Sequence, residues 1–590
     1  MKISKKKSAL HLLNLGCGEH FHVDWVNIDI SPSHPEVLDY DLRLGIPFAD
    51  NSFDVIYHSH ALEHMEPPWA ERLLRECCRT LKPGGLLRVV VPDNEIPFVG
   101  LLRKAGFAEI TRQSHDASLR HDVLRYRLDT LEDGSPRKPD SLFMEAVKPS
   151  PPAAGAQPLR VALFCTYDHG GAGTAALRLH NALRNIAAEG VISQFYCASQ
   201  KTMMEGVHLA PVFGQNARGR LDGSAVLSGL EQCNRACTAA LKAYPNRPVG
   251  REYFSLPQLC CDPAKMPLFE DFDLVHLHWT THMLDPALAQ EVLRGRPVVW
   301  TLHDMAPFTG GCHYSAGCTR FTKQCGRCPG LGSDDPGDLS FQTWRARMGT
   351  YRTLNLHIVC PSDWLAGEAQ KSTLLGRFPI RVIPYAQPLD IFRPLNRTAI
   401  RSSLGFGPEE LVLLFASQSL SNERKGGVYL LETLRRLAAL PPAVHTRLIL
   451  IGNNPPAEFL QTGLRAEAAG HVDAPEHMAA LYNAADAVLV PSLEDNSPNV
   501  ICEALGCGTP VVAFAAGGIP EMVRDGETGR LALVRDAAGL LAGLEWAAGV
   551  KNDTKIRLQC RAFALEKWHA PARARDYVNL YRKLDEQPGR

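Results

Sequence analysis

The sequence has no long hydrophobic run. No stretch approaches the ~18 consecutive apolar residues that a membrane-spanning helix needs, and the basic N-terminal segment has neither an extended apolar run nor a small-residue cleavage site. We therefore expect a cytoplasmic chain. The lysines of that segment leave open a peripheral contact with anionic lipid at the inner membrane, although a solvated tail is the simpler interpretation. They are Lys2, Lys5, Lys6 and Lys7.

The sequence also lacks an excess of charge of either sign. Lysine plus arginine and aspartate plus glutamate each number 63 in 590 residues, which argues against nucleic acid or an acidic polymer as a partner. Hydrophobic residues make up 45% and charged residues 21% of the chain, as in soluble globular proteins. The length exceeds what one hydrophobic core can organise, so several domains are expected.

A disulfide framework is a third missing feature. The 17 cysteines are odd in number and mostly scattered, which favours a reducing compartment. One cluster lies in GGCHYSAGCTRFTKQCGRCPGL, where Cys312, Cys318, Cys325 and Cys328 belong to a loop without a core of its own. Four thiolates of this kind can bind a structural zinc ion tetrahedrally, and free thiols or redox-labile pairs are the alternatives.

Composition and periodicity divide the chain into domains. The stretch 149–158, rich in Pro, Ala and Gly, predicts a linker between an N-terminal domain, 1–148, and the rest. Beyond it, apolar strands alternate with amphipathic helices, and the strands begin again after IPYAQPLDIFRPL. This pattern predicts two α/β domains with parallel sheets, 159–385 and 386–590, and a cleft between them.

Two acids mark a candidate site in PSLEDNSPNVICEALGCGTPVVAF. Asp495 follows an apolar strand, and Glu503 lies more than one turn inside the helix that starts after Pro498. Ligands of α/β domains sit outside the carboxyl ends of the strands, near helix N-termini, so both acids can face one pocket. The structural alternative is an N-capping aspartate and a solvated helix glutamate.

The surrounding motifs resemble those of family-four retaining glycosyltransferases with the GT-B fold. The match consists of Asp495, seven residues, Glu503 and ALGCGTPVVAF, followed by GGIPEMVRDGETGRL at 517–531. It extends upstream to SLSNERKGGVYLLETL and DHGGAGTAALRLHNAL, and downstream to ARDYVNLYRKL, over about residues 158–585. The first acid is aspartate where the family usually has glutamate, so its shorter reach puts its contact with a donor sugar in question.

The resemblance implies roles for these residues in binding a nucleotide-sugar. Negative charge develops on the β-phosphate as the sugar leaves, so cations there lower the barrier, and Arg424 and Lys425 are the candidates. The resemblance implies that Glu503 binds the ribose and that Asp495 binds the sugar and phosphate. Because side chains meet the phosphate charge, no catalytic metal is expected. Further donor-binding candidates are Gly171, Gly173, Asn496, Ser497 and Asn499.

Two strand-end histidines are further candidates in the acceptor-side domain. His278 ends DLVHLHW, and His303 ends VVWTLHD. Similar glycosyltransferases place such a histidine against the donor sugar, and a purely structural role is the alternative. Glycosyltransferases of this kind also often carry a cysteine stretch after the His-Asp strand.

The N-terminal domain resembles class I methyltransferases that use S-adenosylmethionine. LLNLGCGEHFHVDWVNIDIS reads as strand, glycine turn and strand, and the match continues through IPFADNSFDVIYHSHALEH to LLRVVVPD. The resemblance implies that Gly16 and Gly18 approach the methionine part, that Asp29 binds the ribose and that Asp41 lies by the adenine. The helix between the first two strands must be stunted, and almost no insertion follows VVVPD to form a substrate lid.

Together, these features predict three Rossmann-like doubly wound α/β domains, of which the last two form a GT-B pair. The expected function is retaining transfer of a sugar from a nucleotide-sugar to a glycan or lipid-linked acceptor, in surface polysaccharide biosynthesis. A methyltransferase domain is attached. The alternatives are an N-terminal domain that serves only as a scaffold, or a nucleotide-sugar sensor without transfer activity.

Overall fold

The computed structural model describes residues 10–586 except 33, 60–61, 63–64, 66, 93–100, 103–104, 121–123, 132–134, 138–140, 149–156, 211–222, 249, 251–253, 262–271, 420–421, 441–444 and 454. The chain forms two compact units, one up to residue 157 and the other over most of residues 158–590. The predicted linker lies almost wholly outside the described residues. None of the described helices is both long enough and apolar enough to cross a membrane.

The N-terminal unit is built on a seven-stranded sheet in the order β3-β2-β1-β4-β5-β7-β6, in which only the pairs of β7 are antiparallel. Helix α1, Pro67–Thr80, packs on one face. The strands are β1 Leu12–Leu15, β2 Val26–Asp29, β3 Val37–Asp39, β4 Phe53–Ser59, β5 Leu81–Pro92, β6 Ala108–Gln113 and β7 Ser141–Val147.

The other face of this sheet is covered by a connection that the sequence patterns did not reveal. Residues 16–25 contain no helix, as expected for a stunted crossover. Instead, the β6–β7 connection brings Tyr126 against Trp25 and Tyr57. The doubly wound prediction therefore holds for the sheet order, but helices do not cover both faces in the part of the unit that the structure describes.

A buried ionic network ties this connection to the sheet. Arg88 of β5 donates to Asp129 at 2.7 Å and to Glu145 at 2.8 Å, and only 1% of Arg88 is exposed. The Tyr57 hydroxyl donates to the same Asp129 carboxylate at 2.6 Å. Buried charges require such paired partners, so the connection is an integral layer of the unit.

The second unit contains two parallel sheets, which confirms the predicted α/β fold class. The first half has the order β10-β9-β8-β11-β12-β13-β14 and the second half has the order β17-β16-β15-β18-β19-β20. First-half strands are β8 Leu159–Tyr167, β9 Val191–Ser199, β10 Val207–Leu209, β11 Leu274–Leu277, β12 Pro297–Thr301, β13 Asn355–Cys360 and β14 Ile380–Val382. Second-half strands are β15 Leu411–Ser419, β16 Thr446–Asn453, β17 Arg465–Gly470, β18 Ala487–Val490, β19 Val511–Phe514 and β20 Gly529–Ala532.

Helices cover the faces of both sheets, because strands such as β8 and β18 are apolar along almost their whole length and need cover on two sides. They are α2 Gly170–Asn185, α3 Gly223–Leu241, α4 Gln290–Leu293, α5 Leu339–Tyr351, α6 Asp363–Lys371, α7 Arg397–Ser403, α8 Gly427–Ala438, α9 Ala457–Leu460, α10 Pro475–Ala484, α11 Asn499–Gly506, α12 Ala537–Val550, α13 Thr554–Trp568 and α14 Ala570–Asp585.

The last helix returns to the first half. Tyr577 and Tyr581 of α14 are buried among first-half core residues. The Tyr581 hydroxyl lies 2.7 Å from His276 Nδ1, and the Tyr577 hydroxyl lies 2.9 Å from Thr301 Oγ1. The end of the chain therefore packs back on the first half, as expected for a GT-B pair.

Candidate functional site

Asp495 is the centre of a buried charged cluster at the carboxyl end of β18. Its Oδ2 atom lies 2.7 Å from Lys425 Nζ and 3.2 Å from Arg424 Nη1, and 5% of the residue is exposed. Burial by itself raises the pKa of Asp495, but the charges of Lys425 and Arg424 outweigh burial and hold the pKa well below its usual value. The structure therefore brings three predicted site residues together.

Two glycines allow the loops of this cluster to approach each other. Gly426 precedes α8 with φ of +70°, and Gly517 follows β19 with φ of +57°. A Cβ atom on Gly426 would collide with the carbonyl oxygen of Pro491, and one on Gly517 with that of Asp495. Any side chain at either position would push the loops apart.

Both carboxylate oxygens of Glu503, the predicted ribose ligand, have protein partners. The Tyr482 hydroxyl donates to Oε2 at 2.8 Å, and Arg178 Nη2 of the first half lies 2.7 Å from Oε1. Arg178 also donates to Gln387 Oε1 and lies over the ring of Phe392. Glu503 is thus held by an ion pair that spans the two halves.

The loop before α11 also contacts the first half. Asn496 donates to the carbonyl oxygen of His303 at 3.2 Å and accepts from Ser362 Oγ at 2.6 Å. Asn499 donates to the carbonyl oxygen of Gly171 at 3.0 Å. Ser497, in the same loop, is buried. Predicted donor-binding residues of the two halves therefore meet across the cleft.

The two predicted glycines of the first half differ in their surroundings. A Cβ atom on Gly173 would collide with the carbonyl oxygen of Tyr167, whereas one on Gly171 would meet nothing within 4 Å. The close packing of α2 against the end of β8 is therefore sufficient to explain why position 173 is glycine. Gly171 is the position with room for a ligand.

The two predicted histidines lie in one hydrogen-bonded chain. His278 Nδ1 lies 3.1 Å from His303 Nε2, and His303 Nδ1 lies 2.8 Å from the hydroxyl of Tyr385. Burial lowers the pKa of His303 to about 4 and, together with the charges of His276 and His303, lowers the pKa of His278 well below its usual value. Both imidazoles are neutral at pH 7, and none of the described residues offers a hydrogen-bond partner to His278 Nε2.

Sequence reasoning missed several residues of the site. Arg178 lies in α2, beyond the glycine motif, and Tyr314 and Ser315 belong to the cysteine-rich loop. Tyr314 lies under the guanidinium of Arg424, and Ser315 Oγ donates to Glu494 at 3.3 Å. The local signal for Arg178 is its position just after the glycine motif. For Tyr314 and Ser315 it is their position between Cys312 and Cys318.

The four clustered cysteines surround one cavity of about 20 Å³. Burial raises the pKa of Cys312 and Cys328, and raises that of Cys325 to about 12. Among the described residues, no group of three or more His, Cys, Asp or Glu side chains is arranged to hold a metal ion. The structure therefore shows no ready-made zinc site among the described residues, and the structural zinc ion stays a prediction.

The glycine loop of the N-terminal unit has a backbone geometry compatible with the predicted S-adenosylmethionine site. Gly16 and Gly18 have φ of +60° and +53°, and Gly18 N–H donates to Asp29 at 2.8 Å. A Cβ atom on Gly18 would meet no atom of the described residues within 4 Å, so this part of the loop leaves room for a ligand. Asp41 is engaged locally: its carboxylate accepts from Arg43 at 2.7 Å and caps a short 3-10 turn, and its place by the adenine stays a prediction.

Two parts of the chain match known domain families. Residues 410–548 match the family described as glycosyl transferases group 1, and residues 13–89 match the family described as methyltransferase domain. The first match contains Arg424, Lys425, Asp495 and Glu503. The second contains the two glycines and the two acids of the predicted cofactor site.

Curated relatives match over part of their length. A D-inositol 3-phosphate glycosyltransferase of Geodermatophilus obscurus is 38% identical over 179 residues, which cover 28% of this chain and 39% of that protein. The Rhodococcus erythropolis protein of the same name is 32% identical over 187 residues, covering 29% of this chain and 42% of the relative. The chain therefore spans about two fifths of the length of these relatives.

Solved structures give more distant likenesses. A sucrose-phosphate synthase from Thermosynechococcus elongatus is 18% identical with a TM-score of 0.48, covering 72% of this chain and 99% of that one. Anabaena HepE, in complex with UDP and glucose, is 17% identical with a TM-score of 0.47, covering 72% of this chain and 100% of that one. The family matches are more specific: one part of the chain is similar to group 1 glycosyltransferases and another part to methyltransferase domains.

Proposed function

We propose that residues 158–590 transfer a sugar from a nucleotide-sugar to a glycan or lipid-linked saccharide, with retention of anomeric configuration, in surface polysaccharide biosynthesis. The observation that carries this proposal is the buried cluster of Asp495, Arg424 and Lys425 in the cleft. The group 1 match over 410–548 supports it. We further propose a cytoplasmic location and a domain division at 149–158 and near 385.

The cluster suits the charge changes of such a transfer. A donor diphosphate can replace Asp495 as the partner of Lys425 and Arg424, since both cations are available at one point of the cleft. Negative charge grows on the leaving phosphate as the sugar bond breaks, and preorganised cations stabilise it. Asp495 is then left to accept hydrogen bonds from sugar hydroxyls. Side chains supply the positive charge, so the proposed reaction uses no catalytic metal.

Glu503 is the proposed ligand of the nucleotide ribose. Its carboxylate faces the cleft and accepts from Tyr482 while it pairs with Arg178. Each of its oxygens has one of these partners and a second lone pair, which ribose hydroxyls can use beside Tyr482 and Arg178. Donor binding would then take place next to the contact between the halves.

The test is turnover of a panel of nucleotide-sugars, including UDP-glucose and GDP-mannose, measured as release of the nucleoside diphosphate with and without saccharide acceptors. We expect wild-type turnover that resists EDTA and falls by orders of magnitude in Lys425→Ala and Glu503→Ala. The anomeric configuration of the product, read by NMR, tests retention. Donor binding without any turnover would indicate a sensor, and near wild-type rates in both variants would reject the site.

For the N-terminal unit, we propose that Gly16, Gly18 and Asp29 hold S-adenosylmethionine, which supplies a methyl group when bound. The support is the geometry of the glycine loop and the match over 13–89. The second candidate is that this unit serves as a scaffold and binds no cofactor. The ion pair between Asp41 and Arg43 favours this second candidate. Titration with the cofactor separates the two.

A further inference from the structure

The cysteine-rich loop, residues 309–328, reaches from the first half to the charged cluster of the second half. We propose that Tyr314 of this loop is a positioning residue for Arg424 and thereby completes the donor site. The inference rests on the proposed function, because it assumes that Arg424 meets the donor phosphate. It assigns a role in catalysis to a loop whose cysteines form no metal centre among the described residues.

The contacts of this loop converge on the cluster. The guanidinium carbon of Arg424 lies 4.2 Å from the centre of the Tyr314 ring, which is close for a cation–π contact. The Tyr314 hydroxyl lies 3.4 Å from Asp495 Oδ1, a long hydrogen bond. The contact of the Tyr314 ring face with Arg424 is therefore stronger than the contact of its hydroxyl with Asp495.

Neighbouring residues of the loop hold Glu494. Ala316 N–H donates to one Glu494 carboxylate oxygen at 2.9 Å, and Ser315 Oγ donates to the other at 3.3 Å. Ala316 adopts φ of +47°, a conformation that costs an alanine free energy and persists where contacts enforce it. Arg424 donates to the backbone carbonyl of the same Glu494 at 2.8 Å. Glu494 therefore anchors both Arg424 and the two residues that follow Tyr314.

On the other side, Tyr314 follows a firmly held histidine. His313 Nδ1 lies 2.6 Å from Asp304 Oδ2, and His313 Nε2 lies 2.5 Å from Ser255 Oγ. The His313 carbonyl accepts from Met305 N–H at 2.9 Å, and His313 is 4% exposed. Asp304 directly follows the predicted site residue His303. Tyr314 is therefore anchored by buried partners before any ligand binds.

The chemistry of the contact suits a phosphate site. An aromatic face attracts a guanidinium without accepting any of its five N–H donors, whereas a carboxylate would occupy two of them. Tyr314 can therefore fix the plane of the Arg424 guanidinium while the N–H groups of that guanidinium point toward phosphate oxygens. Since Tyr314 belongs to the first half, it supports Arg424 only while the halves are together.

The experiment compares Tyr314→Phe, Tyr314→Leu and Tyr314→Met with wild type, using the nucleotide-sugar of the panel that is turned over fastest. We expect Tyr314→Phe to stay within about threefold of wild type, because the ring remains. Tyr314→Leu and Tyr314→Met should lower kcat about tenfold with a smaller change in donor KM, because Arg424 acts most strongly on the charge of the transition state. Tyr351→Phe, which removes another hydroxyl of this half, is the matched control.

A double-mutant cycle distinguishes positioning from general damage. If Tyr314 acts through Arg424, Tyr314→Leu should lower kcat no further in an Arg424→Ala background. Additive losses, or wild-type kcat in Tyr314→Leu and Tyr314→Met while Lys425→Ala is inactive, would overturn this inference and leave the proposed function intact. No turnover of any donor by the wild type would overturn both.

Discussion

Arg178 and Glu503 form a 2.7 Å ion pair between the two halves of the second unit, and each side chain is about one tenth exposed. The pair joins α2, which starts at the glycine loop, to α11, which follows the charged loop. It places a positive charge beside the acid that we propose for ribose binding. The two halves are therefore linked through the residue that we propose as the ribose ligand.

We predict that Arg178→Ala destabilises the second unit, because the substitution leaves Glu503 buried without its charged partner. Breaking such a pair costs on the order of 3 kcal/mol, which should lower the melting temperature of this unit by several degrees. The measurement is thermal unfolding followed by circular dichroism. Arg184→Ala is the control on the same helix, since its partner Glu205 is 88% exposed and the pair should contribute little. Equal effects of the two substitutions would contradict the prediction.

Gly517→Ala should abolish donor turnover. The residue has φ of +57°, and its Cβ atom would collide with the backbone of Asp495, so the substitution displaces the charged cluster. Gly549→Ala in α12 is the matched control, because a Cβ atom there meets nothing within 4 Å and alanine favours a helix by about 1 kcal/mol. Turnover rates and melting temperatures of both variants test the contrast. If the Gly517→Ala enzyme were active, turnover would not require the close contact between residue 517 and the backbone of Asp495.

The two acids of the N-terminal unit should differ in their effect on cofactor binding. Asp29 lies at the end of β2 and accepts from the glycine loop, whereas Asp41 is engaged by Arg43. In calorimetric titration with S-adenosylmethionine, Asp29→Ala should lose binding and Asp41→Ala should bind within about threefold of wild type. No heat and no thermal shift for the wild type would make this unit a scaffold.

Stability of the second unit should fall as the pH drops from about 6.5 to 4. Burial lowers the pKa of His276 to about 3 and those of His303 and His180 to about 4. In this range the unfolded chain binds protons at these histidines and the folded chain does not, so protons favour unfolding. Melting temperatures measured every half pH unit should decline steadily as the pH falls below about 6.5, the ordinary pKa of histidine. His180→Gln should flatten the decline; an unchanged slope would rule out a contribution from His180.

The fold was largely predictable because parallel strands buried on both faces are apolar along their length. For example, the apolar segments LVLLFASQ, TRLILIG, AVLVPS and PVVAF form β15, β16, β18 and β19. The β6–β7 connection of the N-terminal unit was missed because its polar anchors, Arg88 and Asp129, are buried only through contacts distant in sequence. The hydrophobic periodicity of a sequence carries no signal of a buried ion pair.

The charged loop, the glycines and the two acids are local features, so the sequence by itself determined where we propose a donor site and which residue types we propose for it. Tertiary structure alone decided which residues meet there. It paired Glu503 with Arg178, placed Tyr314 under Arg424 and joined His278 to His303. The physical reason is that charge, ring-face and hydrogen-bond contacts depend on distances of a few ångströms between residues far apart along the chain. Spacing along one sequence does not encode those distances.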